Sequence, residues 1–195
     1  GSGTGLLGLL LLAREPSLTV TGLELSPAAC ALADRTAAAN GLTDRLITLP
    51  CDLRDRRQLP SAGRFDLTVS NPPYFPAGGG KTAAGSRGIH RAELACTMEQ
   101  LCAAAAYLLR SGGQFCLVYR TERLAELMET LRRHRLEPKV LRFVQKNAAS
   151  APSLLLMACR KDGGTGLTVQ PPLLLQNDDG TETPELRRIY FKEKG

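Results

Sequence analysis

The chain has 195 residues, a net charge of +6 and 43% hydrophobic residues, which is one domain, or one domain with an appendage, and enough to bury a real core. No apolar run approaches the ~18 residues of a membrane span, and the patch at 6–13 is too short and too glycine-flanked for a signal peptide. Six cysteines without a C-x-x-C pair, beside two histidines, provide no metal-ligand spacing.

The chain begins Gly1-Ser2-Gly3-Thr4-Gly5, with leucines at 6, 7 and 9–12. Glycines allow a tight turn and close backbone approach. The leucines read as a helix ending before Pro16, whose N-terminus offers free N–H groups to a ligand. Gly3-x-Gly5-x-x-Gly8 also fits the dinucleotide fingerprint, a weak signal alone. A glycine turn needs something before it and there is no initiator Met, so upstream sequence is expected; the alternative is that Gly1-Ser2 is a tag remnant. Residues 18–25 read as a short strand ending on Glu24. A carboxylate there suits a ribose diol, since it accepts two hydroxyl hydrogen bonds; the plain alternative is a solvated strand-end acid. Ser26-Pro27 starts a helix that stops at Asn40-Gly41. Residues 46–49 form the next strand and deliver Asp52, which can accept a hydrogen bond from an exocyclic amine. Arg54, Arg56 and Arg57 follow on a surface loop.

The apolar run 65–69 is a buried strand leading into Ser70-Asn71-Pro72-Pro73-Tyr74-Phe75. Two prolines make the strand exit stiff and extended, with carbonyls that lack local partners. An amide, free carbonyls and an aromatic ring are thus held at a strand's C-terminal end, where open α/β sheets bind ligands. Residues 76–91 follow as a long loop without periodicity, carrying Lys81, Arg87, His90 and Arg91; a solvated connector is the alternative. Leu94, Met98, Leu101, Ala105, Leu108 and Leu109 recur at helical spacing, with a stop at Ser111-Gly112-Gly113. Residues 114–119 are a strand, and Thr121 is a cap for a helix with Leu124, Leu127, Met128 and Leu131 on one face. Residues 138–144 and 153–159 read as an antiparallel pair, because the eight residues between them cannot form a parallel crossover. The remainder packs on the core and ends in a short helix. The cysteines, set among apolar neighbours, read as reduced core residues of a cytoplasmic protein. The basic balance is a mild pointer to nucleic acid.

Strand–helix alternation, the glycine turn, two acids in order and Asn71-Pro72-Pro73-Tyr74 resemble the class I S-adenosylmethionine-dependent methyltransferases over nearly the whole chain. The resemblance implies a Rossmann-like α/β fold, mostly parallel with a final antiparallel strand and helices on both faces, whose first strand is missing from the chain as given. It implies a catalytic domain over 1–161 and a C-terminal extension over 162–195. Gly1, Gly3 and Gly5 would approach the methionine part of S-adenosyl-L-methionine, Glu24 with Leu25 its ribose, and Asp52 with Leu53 its adenine, with Asn71 at the junction with the substrate.

Asn71-Pro72-Pro73-Tyr74 resembles the motif of amino-group methyltransferases. In that reading Asn71 and Pro72 accept the two hydrogens of a planar amine, and Tyr74 stacks on its ring. The motif, the 91–97 helix entry, 112–120 and the tail from Pro171 to Tyr190 resemble bacterial tRNA(Val) adenine-N6 methyltransferases, although Glu182 and Pro184 depart from the tail pattern. The resemblance implies a tRNA partner, substrate contacts from Pro73, Phe75, Lys81 and Arg91, and phosphate contacts from Lys81, Arg91, Arg187, Arg188 and Lys192. It implies no metal and no membrane, and leaves the oligomeric state open. The rivals are a glutamine-N5 methyltransferase of release factors, an NAD-dependent oxidoreductase, and a silent RNA-binding relic.

Overall fold

A computed structural model describes residues 1–72 and 96–190. The chain divides into two compact units, Gly1–Ser61 and Ala62–Gly195. Lys81, Arg91, Pro73, Tyr74 and Phe75 lie outside the described residues, as do Leu94 and Lys192.

In the first unit, α1 (Leu6–Arg14), β1 (Val20–Glu24), α2 (Pro27–Ala39) and β2 (Leu46–Pro50) alternate. The two strands are parallel, in register from Val20↔Leu46 to Glu24↔Pro50. Gly5 caps α1 at φ 81°, a left-handed conformation that other residues adopt only under strain. Ser26 caps α2 by accepting from the Ala29 N–H, with Pro27 in the first turn. Leu12, Ala37 and Leu46 make a small core, joined by Leu9, Leu18, Val20 and Leu42. The alanines of α2 allow close approach; Ala33 and Ala37 are fully enclosed.

The second unit contains β3 (Phe65–Ser70), α3 (Met98–Leu108), β4 (Leu109–Arg120), a 3-10 turn (Thr121–Arg123), α4 (Leu124–Arg133), β5 (Leu136–Gln145), β6 (Leu154–Lys161), β7 (Thr168–Leu174) and α5 (Pro184–Ile189). Its sheet runs β3-β4-β6-β5-β7. β3 is parallel to β4, β6 is antiparallel to β4 and β5, and β7 is parallel to β5. Phe115, Leu117 and Tyr119 of β4 and Leu155, Met157 and Cys159 of β6 are buried at every second position, the period of a strand with one covered face.

Three local readings change. The helix before β4 ends at Leu108, and Ser111-Gly112-Gly113 is no helix stop. Leu109 is already extended, and the glycines lie in a bulge between the pairs Phe65↔Leu109 and Leu67↔Gln114. Thr121 opens a 3-10 turn and caps nothing; α4 begins beyond it with Arg123 paired to Glu126. The tail contributes a strand that its sequence conceals, since Pro171 and Pro172 argue against one. As an edge strand β7 needs no partner for its outer N–H positions, and its register with β5 shifts between Arg142 and Val144, where the prolines fall. The last strand in sequence is therefore parallel to its neighbour, and the antiparallel strand is β6.

Side chains fasten this tail. Arg142 donates from Nη1 and Nη2 to the two carboxylate oxygens of Glu185, at 2.7 and 2.8 Å, and from Nε to the Pro171 carbonyl at 2.9 Å. Thr183 donates to the Leu174 carbonyl and accepts from the Leu186 N–H, capping α5.

Candidate active site

β1 and β2 end side by side, and each delivers a carboxylate at its C-terminal end. Glu24 closes β1 opposite Pro50, and the Cys51 N–H donates to the Glu24 carbonyl at 2.8 Å. Asp52 therefore follows directly on the edge that Glu24 occupies. The backbone holds Glu24: the Gly3 N–H donates to Oε2 at 2.7 Å and the Ser26 N–H to Oε1 at 2.9 Å. An ionised carboxylate has about four lone-pair positions. Glu24 thus keeps one per oxygen for a ligand while the backbone fixes its direction.

The glycine turn lies against this acid. Ser2 donates its N–H to the Leu23 carbonyl at 2.8 Å. A Cβ at Gly22 would come within 2.7 Å of the Ser2 hydroxyl oxygen, so only glycine lets the turn lie on β1. The Ser2 hydroxyl is buried and lacks a hydrogen-bond partner among the described residues. A Cβ built at Gly3 meets nothing within 4 Å, so space remains beside the turn where a ligand can approach the backbone. Gly1, Gly3, Gly5 and Glu24 are thus one assembly, with Leu25 exposed and Leu53 half-buried at the strand ends.

Asp52 is held differently. The Arg54 N–H donates to Oδ1 at 2.9 Å, Nε to Oδ1 and Oδ2 at 2.9 and 3.1 Å, and Nη2 to Oδ2 at 2.8 Å. These bonds hold the Asp52 carboxyl below the usual carboxylate range. Arg54 was legible only as one of several loop cations; the signal of its role is its position two residues after an Asp, where the side chain closes a local turn. Arg57 makes the same kind of pair with Asp55.

In the second unit β3 runs to Ser70, paired with Leu117, and hands the chain to Asn71 and Pro72. Asn71 is exposed and Pro72 half-buried. The sheet fold thus puts an amide and a proline carbonyl at the C-terminal end of a parallel strand. The six cysteines are all free thiols. Burial pushes the Cys102 thiol up to about 12, and those of Cys30, Cys51, Cys116 and Cys159 upward too; none has the character of a nucleophile. The described residues contain no group of side chains able to hold a metal ion and no helix long and apolar enough to cross a membrane.

The methyltransferase small domain family matches residues 1–144. A tRNA1(Val) (adenine(37)-N6)-methyltransferase of Porphyromonas gingivalis is 31% identical over 194 residues, covering 97% of this chain and 75% of the relative. A release factor glutamine methyltransferase of Chlorobaculum tepidum is 30% identical over 139 residues, covering 67% of this chain and 47% of the relative. Among solved structures, a predicted O-methyltransferase from Agrobacterium tumefaciens is similar in fold, with a TM-score of 0.79 at 20% identity, covering 97% of this chain and 85% of that one.

Proposed function

This chain belongs to the methyltransferase small domain family as an S-adenosylmethionine-dependent methyltransferase, and from that premise we propose that its acceptor is the N6 amine of an adenine in tRNA, the adenosine 3′ of the anticodon in tRNA(Val). The observation that carries the reading is the exit of β3 into Asn71-Pro72 at the strand's C-terminal end. The amino nitrogen of adenine is a poor nucleophile because its lone pair is delocalised into the ring. The Asn71 side-chain oxygen and the Pro72 carbonyl accept its two hydrogens, which favours a more tetrahedral nitrogen and directs the lone pair outward. Tyr74 stacks on the base. Such a site works by positioning, with no nucleophile of its own.

The residues of the first unit fit the cofactor. Glu24 has a lone-pair position left on each oxygen for the two ribose hydroxyls, the space at Gly3 admits the methionine part, and Leu25 and Leu53 offer apolar edges to the nucleoside. The bound cofactor supplies an electrophilic methyl group. Lys81, Arg91, Arg187 and Arg188 are assigned to tRNA phosphates, and the protein works in the cytoplasm.

The relative from Porphyromonas gingivalis supports tRNA as the acceptor, being similar along 97% of the chain, tail included. The second reading is methylation of a glutamine amide in a release factor, favoured by the Chlorobaculum tepidum relative; the same two acceptors suit a carboxamide nitrogen. Incubation with methyl-labelled cofactor, unmodified tRNA and release factor separates them. Label is expected in tRNA(Val), and to vanish when the adenosine after its anticodon is replaced. Label in protein alone overturns the proposal.

A further inference from the structure

The two strand-end acids differ in what they have left to offer, and the difference falls on one residue. Asp52 Oδ1 accepts the Arg54 N–H and Nε, and Oδ2 accepts Nε and Nη2. That is two contacts per oxygen, the whole capacity of an ionised carboxylate. Glu24 accepts one N–H per oxygen, both from the backbone. A ligand amine can therefore add to Glu24 but must displace something at Asp52. What it can displace is a side chain: Arg54 is about a third exposed and Asp52 about a fifth, so the contact lies where water and a ligand reach it.

We propose that Arg54 is a latch on the adenine subsite, closing Asp52 when the site is empty and competing with the exocyclic amine of the cofactor for its oxygens. The proposal rests on the reading of Asp52 as the adenine contact. The latch works in one direction on affinity and in another on selectivity. Closed, it weakens binding by the cost of opening. It also blurs the choice of base, because Asp52 occupied by a guanidinium neither rewards a 6-amino group nor repels a 6-oxo group. Open, Asp52 is an anion with vacant lone pairs: it accepts from adenine and repels the carbonyl of hypoxanthine. Arg54 is thus a positioning residue for base selectivity, acting through Asp52.

Calorimetry with S-adenosylhomocysteine and its hypoxanthine counterpart, S-inosylhomocysteine, tests this without turnover. Arg54→Ala is expected to bind S-adenosylhomocysteine about 5-fold tighter and S-inosylhomocysteine no tighter, so the preference for adenine rises. Arg54→Lys keeps the charge but loses the two-oxygen grip, and falls between wild type and Arg54→Ala. Raising salt screens the exposed pair and should tighten S-adenosylhomocysteine binding to wild type relative to Arg54→Ala. Unchanged or weaker S-adenosylhomocysteine binding in both Arg54 variants, with base preference unaltered, overturns the latch. Asp52→Ala locates the failure. If it loses affinity and base preference while the Arg54 variants gain nothing, only the latch falls. If it changes neither, the adenine contact falls and the latch with it.

Discussion

The two compact units solve different problems with similar strand–helix parts. The first has two strands, and its core is Leu12, Ala37 and Leu46 with four half-buried neighbours; Leu6, Leu7, Leu10, Ile47 and Leu49 remain exposed. The second has five strands and holds most of the large enclosed side chains, Phe115, Leu127, Leu131, Leu136, Leu155 and Met157 among them. A two-stranded sheet is marginal alone, so the first unit relies on close backbone approach through glycine and alanine. That economy leaves backbone N–H groups and carboxylates at the strand ends, suited to holding a polar ligand. The second unit puts its apolar mass in the sheet and leaves the strand exit at Asn71 exposed. The contrast is a thin unit that ends in two strand-end carboxylates and a thick one that ends a parallel strand in Asn71-Pro72.

The largest effect tests the thickness. Phe115→Ala should lower unfolding free energy by about 4 kcal/mol and Leu12→Ala by about 2 kcal/mol, measured by denaturant titration; a larger loss at Leu12 would reverse the ranking of the cores. Asn71→Ala tests the division of labour. Turnover should fall roughly 100-fold or more, while S-adenosylhomocysteine affinity stays within about 2-fold; equal losses in both would merge the two roles. Glu24→Ala should weaken S-adenosylhomocysteine binding about 10- to 100-fold in calorimetry, and unchanged affinity would remove the ribose contact from the first unit.

The smallest effect concerns how the second unit extends its sheet. Arg142 holds the Glu185 carboxyl below the usual glutamate range. A depressed folded value means that the pair's contribution is complete above the unfolded value of about 4.3 and fades as pH falls through the lowered one. With Glu185 41% exposed, the gain is about 1 kcal/mol or less. Glu185→Gln should therefore lower stability slightly at neutral pH, and the gap should close below about pH 4. A gap that persists in acid would mean that shape, not charge, fastens the tail.

Much of this was legible in the chain. The glycine turn, the Ser26-Pro27 helix start and the run into Asn71 each carry a local physical signature: a left-handed backbone, a capping hydroxyl, a strand halted by two prolines. The misread places lack one. Gly112-Gly113 punctuates a helix and a bulge equally well, and only pairing with β3 decides. Pro171-Pro172 argues against a strand unless the strand lies at an edge, which depends on what lies beside it. Thr121 resembles a cap, but the turn that follows tightens to a 3-10 form.

The sequence by itself determined the alternation of elements, the order of glycine turn, Glu24, Asp52 and Asn71, and the stiff proline exit after β3, because residues close in the chain dictate these. Tertiary structure alone decided that β7 joins β5 through a register shift, that Arg142 reaches Glu185 across 43 residues, and that Glu24 keeps vacant lone pairs while Asp52 has none. Hydrogen-bond capacity is a property of side-chain types; how much of it remains for a ligand depends on which donors the fold brings within reach.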